Sequence, residues 1–143
     1  MIYFDNSATS RIKPPEVIMG VLGGLTKYSA NPGRAGHDLS LMTSIEVMGV
    51  REKIRSHVGA ESAENVIFTS NCSEALNYAI LGSVKRGGHI IITCNEHNSV
   101  YRPVEHLKKN YNVSYSICQT DSNGMILARE IEKLITPRTY LVV

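Results

Sequence analysis

Apolar positions in the first sixty residues recur at helical spacing. Val17, Ile18, Val21, Leu22 and Leu25 form one stripe, which predicts an amphipathic helix from Pro15 to about Lys27. Pro14-Pro15 supplies the fixed φ that suits a helix start, and Gly23-Gly24 weakens the last turns. Ahead of it, residues 1–11 read as an extended arm in which Tyr3-Phe4 is followed by the turn-prone Asp5-Asn6-Ser7. A second stripe of Leu41, Ile45, Val47, Met48, Ile54 and Val58 predicts a longer helix over Ser40 to Val58. Its Glu46, Arg51, Glu52 and Arg55 face water, and Gly59 is its stop. Between the helices, the Pro and Gly of Tyr28 to Asp38 predict a loop.

From Val66 the pattern alternates between short β-type runs and helical stripes. Val66-Ile67-Phe68 reads as a strand, and Ala75, Leu76, Ala79 and Ile80 as the apolar face of a helix reaching about Arg86 and broken by Gly87-Gly88. His89 to Thr93 is a continuous apolar run of the kind buried on both faces. A helix from about Ser99 to Asn110, a strand at Val113 to Cys118 and a turn at Asp121-Ser122-Asn123-Gly124 follow. A short helix over about Arg129 to Ile135 then leads to a last strand at Thr139 to Val143. The expected fold class is α/β: a mostly parallel sheet with flanking helices, over residues 61–143, preceded by a helical arm over residues 1–60. An apolar strand as the last element either pairs at the middle of a sheet or is cut short. The expectation is a fragment, truncated within a strand.

Composition narrows the function. A chain of 143 residues can bury about two-thirds of its unfolded surface. The formal net charge is +2, and the Lys and Arg residues are interleaved with acidic ones, so no nucleic-acid footprint is expected. No apolar run approaches a membrane span and residues 1–5 make no signal peptide, so no membrane association is expected. Cys72, Cys94 and Cys118 are odd in number and lack a CxxC pair. They read as free thiols of a cytoplasmic protein rather than a disulfide framework or a zinc site.

The candidate chemistry begins at Asn65 to Ile80. A strand, a tight turn and a helix with Asn71 at its N-cap leave N–H groups at the positive end of the helix dipole, where a phosphate can bind. Glu74 completes a capping box by reaching back to the Asn71 amide, and the Ser73 hydroxyl adds a donor. An ordinary βα junction has the same pattern, and the turn lacks the glycines of a P-loop. His97, in the loop Asn95 to Asn98, follows the carboxyl end of the next strand. In such sheets that is the edge where ligands sit. Arg34 and His37 are either an anion-handling pair or two solvated loop residues.

Four segments resemble the class V family of pyridoxal-phosphate (PLP) enzymes, the group of cysteine desulfurases and selenocysteine lyases. They are Tyr3 to Thr9, Ala30 to His37, Phe68 to Asn77, and Glu96 to Val100, in the family's order and spacing. The resemblance implies the amino-terminal part of a fold type I large domain, with the PLP phosphate held at Cys72 and Ser73 in the full-length enzyme and PLP absent or weakly bound in this chain. The family usually has Ala or Thr at the first of these positions and Thr at the second. His97 matches the histidine that stacks on the pyridine ring and assists proton transfer, the catalytic role in this stretch. Asn6, Ala8, Asn31, Arg34 and His37 resemble segments on the substrate side.

The resemblance further implies a small amino-acid substrate, a homodimer and a sulfur-acceptor protein as a further partner. The reaction would be attack of an enzyme thiol on cysteine sulfur, leaving alanine and an enzyme persulfide, or else a class V amino-group transfer. The family's Schiff-base lysine, acidic partner and mobile-loop cysteine fall beyond Val143, and no lysine or cysteine of this chain matches them. A non-catalytic module binding a phosphorylated small molecule or a protein partner is the alternative.

Overall fold

The structure, a computed structural model, describes residues 2–33 and 36–143. Contacts divide the chain into two units, Met1–Ile67 and Phe68–Val143.

In the first unit, α1 spans Pro15–Thr26 and starts on Pro15, whose missing N–H costs nothing at that position. Helix α2 spans Asp38–Val58. Its N-cap is His37, whose ring Nδ1 accepts from the Ser40 amide at 3.2 Å. It ends on Gly59 in the left-handed conformation, φ 71°, which glycine adopts without a Cβ penalty. Ser40 and Ser44 donate their hydroxyls to the carbonyls of Asn31 and Pro32, each at 2.6 Å, and so tie the preceding loop to the helix. A short 3₁₀ turn follows at Ala63–Asn65.

The apolar stripes of α1 and α2 do not form a core. Val17, Ile18, Val21, Leu22, Leu25, Leu41, Ile45 and Met48 are all exposed, and the buried residues of this unit are Ser40 and Thr43. Helical periodicity marks a face able to pack, but burial needs a covering surface. Nothing described within residues 2–67 supplies one.

The second unit carries the sheet. Strands β1 (His89–Thr93), β2 (Ser114–Cys118) and β3 (Thr139–Val142) are parallel in the order β2-β1-β3. Helices α3 (Cys72–Gly82), α4 (Asn98–Tyr111) and α5 (Ala128–Leu134) alternate with them. The central strand is buried on both faces as expected: Ile90, Ile91 and Ile92 are each 0% exposed. Ile90 and Ile92 share one face and pack with Ile80, Val100, Val104, Leu107 and Val113.

Two expectations change here. Val66 is extended, at φ −91° and ψ 110°, but residues 66–68 form no strand. Local β preference cannot supply a ladder partner, and Ile67 is 76% exposed. Helix α3 also ends at Gly82 rather than about Arg86. The predicted turn is present: Asp121 Oδ1 accepts from the amides of Asn123 and Met125, both at 2.9 Å, and Gly124 has φ 79°. Among the described residues no helix is long and apolar enough to cross a membrane, and no group of His, Cys, Asp and Glu could hold a metal ion.

Candidate anion and cofactor site

The site is built on the turn that enters α3. Asn71 is extended (φ −167°, ψ 169°) and its Oδ1 accepts the Glu74 amide at 2.9 Å, the expected N-cap. The return half of the capping box differs by one residue. Glu74 Oε2 accepts from the Ser70 amide at 2.8 Å rather than from Asn71, and Oε1 accepts from the Tyr78 hydroxyl at 2.9 Å. These hydrogen bonds, the Ser70 amide's first and the Tyr78 hydroxyl's second, hold the Glu74 carboxyl below the usual carboxylate range. The Thr69 hydroxyl closes the turn by donating to the Asn71 carbonyl at 2.9 Å. Cys72 and Ser73 open the helix, so their amides have no intrahelical acceptor. The Ser73 hydroxyl has no hydrogen-bond partner among the described residues.

The second wall comes from α4. Beyond β1, the Thr93 hydroxyl donates to Glu96 Oε1 at 2.6 Å and holds the connecting loop. His97 is the N-cap of α4, its Nδ1 accepting the Ser99 amide at 3.2 Å with the Ser99 hydroxyl at 3.0 Å. An amide can only donate, so Nδ1 carries the lone pair and the neutral ring keeps its proton on Nε2.

Between these walls lies a groove of ≈ 430 Å³ lined by Ser73 and Asn77 of α3 with His97, Asn98, Ser99 and Arg102. Asn77 donates to the Ser73 carbonyl at 2.8 Å, which braces that side. Among the described residues no carboxylate lines the groove, and Arg102 is its one permanent cation. Donor groups at a helix N-terminus beside a guanidinium suit an oxyanion.

Of the residues singled out from sequence, Ser73 and His97 meet on this groove, while Cys72 is exposed beside it and is not among its lining residues. Asn31 and His37 converge on Ser40, one through its carbonyl and the other through its ring. His37 caps α2 through Nδ1, and Arg34, the other residue of the expected pair, lies outside the described residues. Asn6 and Ala8 stay in the arm, where Asn6 Oδ1 accepts the Arg11 amide at 3.1 Å. Sequence reasoning gave no role to Asn77, Asn98 and Ser99, which lie within the resembling segments, and missed Arg102. The spacing of Ser73 to Asn77 was a signal for one face of α3.

A phosphorylated, ring-bearing cofactor such as PLP fits part of this donor set. The Ser73 hydroxyl and the first-turn amides can hold the phosphate, and His97 can hold the ring. No lysine lines the groove to form a Schiff base.

Known proteins resemble the whole stretch. A probable cysteine desulfurase of Borreliella burgdorferi is 38% identical over 148 residues, covering 99% of this chain and 35% of the relative. A cysteine desulfurase of Clostridium botulinum is 35% identical over 146 residues, covering 99% and 36%. The apo structure of cysteine desulfurase from Thermococcus onnurineus NA1 superposes with a TM-score of 0.83 at 34% identity, over 99% of this chain and 35% of that one. The chain thus spans about a third of the length of the relatives it matches. The family model for aminotransferase class-V matches residues 2–143, and the chain belongs to that family.

Proposed function

We propose that this chain forms the phosphate- and ring-holding part of a PLP-dependent enzyme that removes sulfur from cysteine. The observation that carries the reading is the meeting of Ser73, at the first turn of α3, with His97 on one groove free of carboxylates. PLP, when bound, supplies an electron sink for charge developing on the amino-acid substrate. The Ser73 hydroxyl and the amides of Cys72 and Ser73 bind its phosphate. His97 holds the ring, and its Nε2 proton is the one available for transfer because Nδ1 is committed to the Ser99 amide. Cysteine as the substrate rests on the relatives being cysteine desulfurases by name. The Schiff-base lysine, the thiol that takes the sulfur, the homodimer and the sulfur acceptor are parts of the same proposal that lie outside this groove.

The test is to add PLP to the purified chain, follow its absorbance, and compare wild type with Ser73→Ala. Weak but saturable binding, weakened further by that change, is expected. Borohydride reduction and peptide mass analysis should show no stoichiometrically labelled lysine. One fully labelled lysine would overturn the division of the site, and no PLP binding would overturn the site itself.

A further inference from the structure

Resting on that reading of the groove, the structure assigns Arg102 as the residue that selects for the charge of the ligand. It lines the groove with Ser73 and His97, and its other lining side chains are neutral amides and hydroxyls. An arginine on a helix can pair with a carboxylate three or four residues away. Here the candidate is Glu105, and it is already engaged. Glu105 Oε1 accepts from the Tyr115 hydroxyl at 2.5 Å and pairs with Lys108 at 3.9 Å. No carboxylate partners Arg102 among the described residues. Arg102 is exposed where it lines the groove, and its planar fork matches two oxygens of one phosphate. The first-turn amides of α3 and the Ser73 hydroxyl accept any oxyanion. Arg102 adds a full positive charge, which a dianion rewards and an uncharged hydroxymethyl group does not. Arg102 is thus a specificity residue for phosphorylated over unphosphorylated forms of one ligand.

The test compares PLP, pyridoxal and inorganic phosphate by equilibrium dialysis against wild type, Arg102→Gln and Arg102→Lys. Gln and Lys are good helix formers at an exposed position, and circular dichroism checks that both variants fold. Arg102→Gln should weaken PLP and inorganic phosphate by roughly 10- to 100-fold, leave pyridoxal unchanged, and flatten the salt dependence of PLP binding. Arg102→Lys should recover part of the loss. An equal loss for PLP and pyridoxal, or unchanged PLP binding in Arg102→Gln, overturns the assignment while leaving the proposed site intact. Failure of the wild-type chain to bind PLP at all overturns the proposed function instead.

Discussion

The Glu74 carboxylate accepts the Ser70 amide at 2.8 Å, across the turn whose next two residues, Asn71 and Cys72, begin α3. The same side chain accepts from Tyr78 one turn further on, so one residue clamps the turn to the helix. Both hydrogen bonds favour the ionised carboxyl, which lies below its ordinary value. A group whose folded pKa is depressed contributes stability that is present above its unfolded value of 4.5 and is lost as pH falls through the folded one. Wild type should therefore lose part of its advantage over Glu74→Gln below about pH 4.5. Urea midpoints of both proteins from pH 7 to pH 3 would show this. Parallel profiles would mean that the clamp is not linked to ionisation.

Ser73 contributes a hydroxyl to the groove, and Thr offers the same group with one more methyl. Ser73→Ala should weaken PLP binding by roughly tenfold or more, the expected loss of one hydrogen bond to a charged group. Ser73→Thr should bind within a few-fold of wild type. Cys72→Ala should do the same, because the backbone amide rather than the thiol of Cys72 faces this task. A Cys72→Ala defect larger than that of Ser73→Ala would reverse the assignment.

His97 carries a second duty that a cofactor role alone would not require. As the N-cap of α4 it satisfies the Ser99 amide, and losing a cap costs about 1 kcal/mol. Asn is a strong capping residue but has no aromatic ring. His97→Asn should therefore keep the chain's denaturation midpoint while losing the contribution of the ring to PLP binding. His97→Ala should lose both. If His97→Asn binds PLP as wild type does, the ring is only a cap.

Much of the second unit was legible because its signals are local. The run His89 to Thr93 could only be a buried strand, Asn71 has the side chain a cap requires, and Asp121 to Gly124 carries the residues its turn demands. Some failures involve a partner distant in sequence, and others a local role that residue type does not announce. Val66 to Phe68 has strand composition but forms no strand. The stripes of α1 and α2 have the right period and nothing among residues 2–67 to cover them. His37 and His97 became caps through a ring nitrogen, a role that sequence patterns assign first to Ser, Thr, Asp and Asn. Arg102 enters the groove only because α3 and α4 pack side by side, which no spacing within α4 reveals.

Gly88 looks in sequence like a helix breaker, but the structure gives it a packing reason. A Cβ there would stand 2.5 Å from Tyr140 Cδ1 and 2.8 Å from the Lys85 carbonyl oxygen. Tyr140 belongs to β3 and packs against the core, so neither neighbour yields easily. Gly88→Ala should destabilise the chain by about 1–3 kcal/mol. Gly82 is the control: it closes α3, a Cβ there meets nothing within 4 Å, and its φ is not positive. Gly82→Ala should stabilise by about 0.4–1 kcal/mol through the unfolded chain. Equal effects at the two sites in urea melts would remove the steric argument.

His89 ties the three strands together at one end of the sheet. Its Nδ1 lies 2.8 Å from the Thr139 hydroxyl of β3 and its Nε2 3.0 Å from the Ser116 hydroxyl of β2, with the residue 5% exposed. Burial, and then the nearby positive charge of Arg138, push its pKa below the ordinary 6.5. The unfolded chain therefore takes up a proton at a higher pH than the folded one, and stability rises with pH across that interval. The contribution is complete above about pH 6.5 and is lost as pH falls through the folded pKa. His89→Gln keeps a hydrogen-bonding side chain that does not titrate. Wild type should lose stability between pH 7.5 and pH 5 more steeply than His89→Gln, as read from urea midpoints at half-unit steps. If the two profiles run parallel through this range, the tie across the strands is indifferent to protonation.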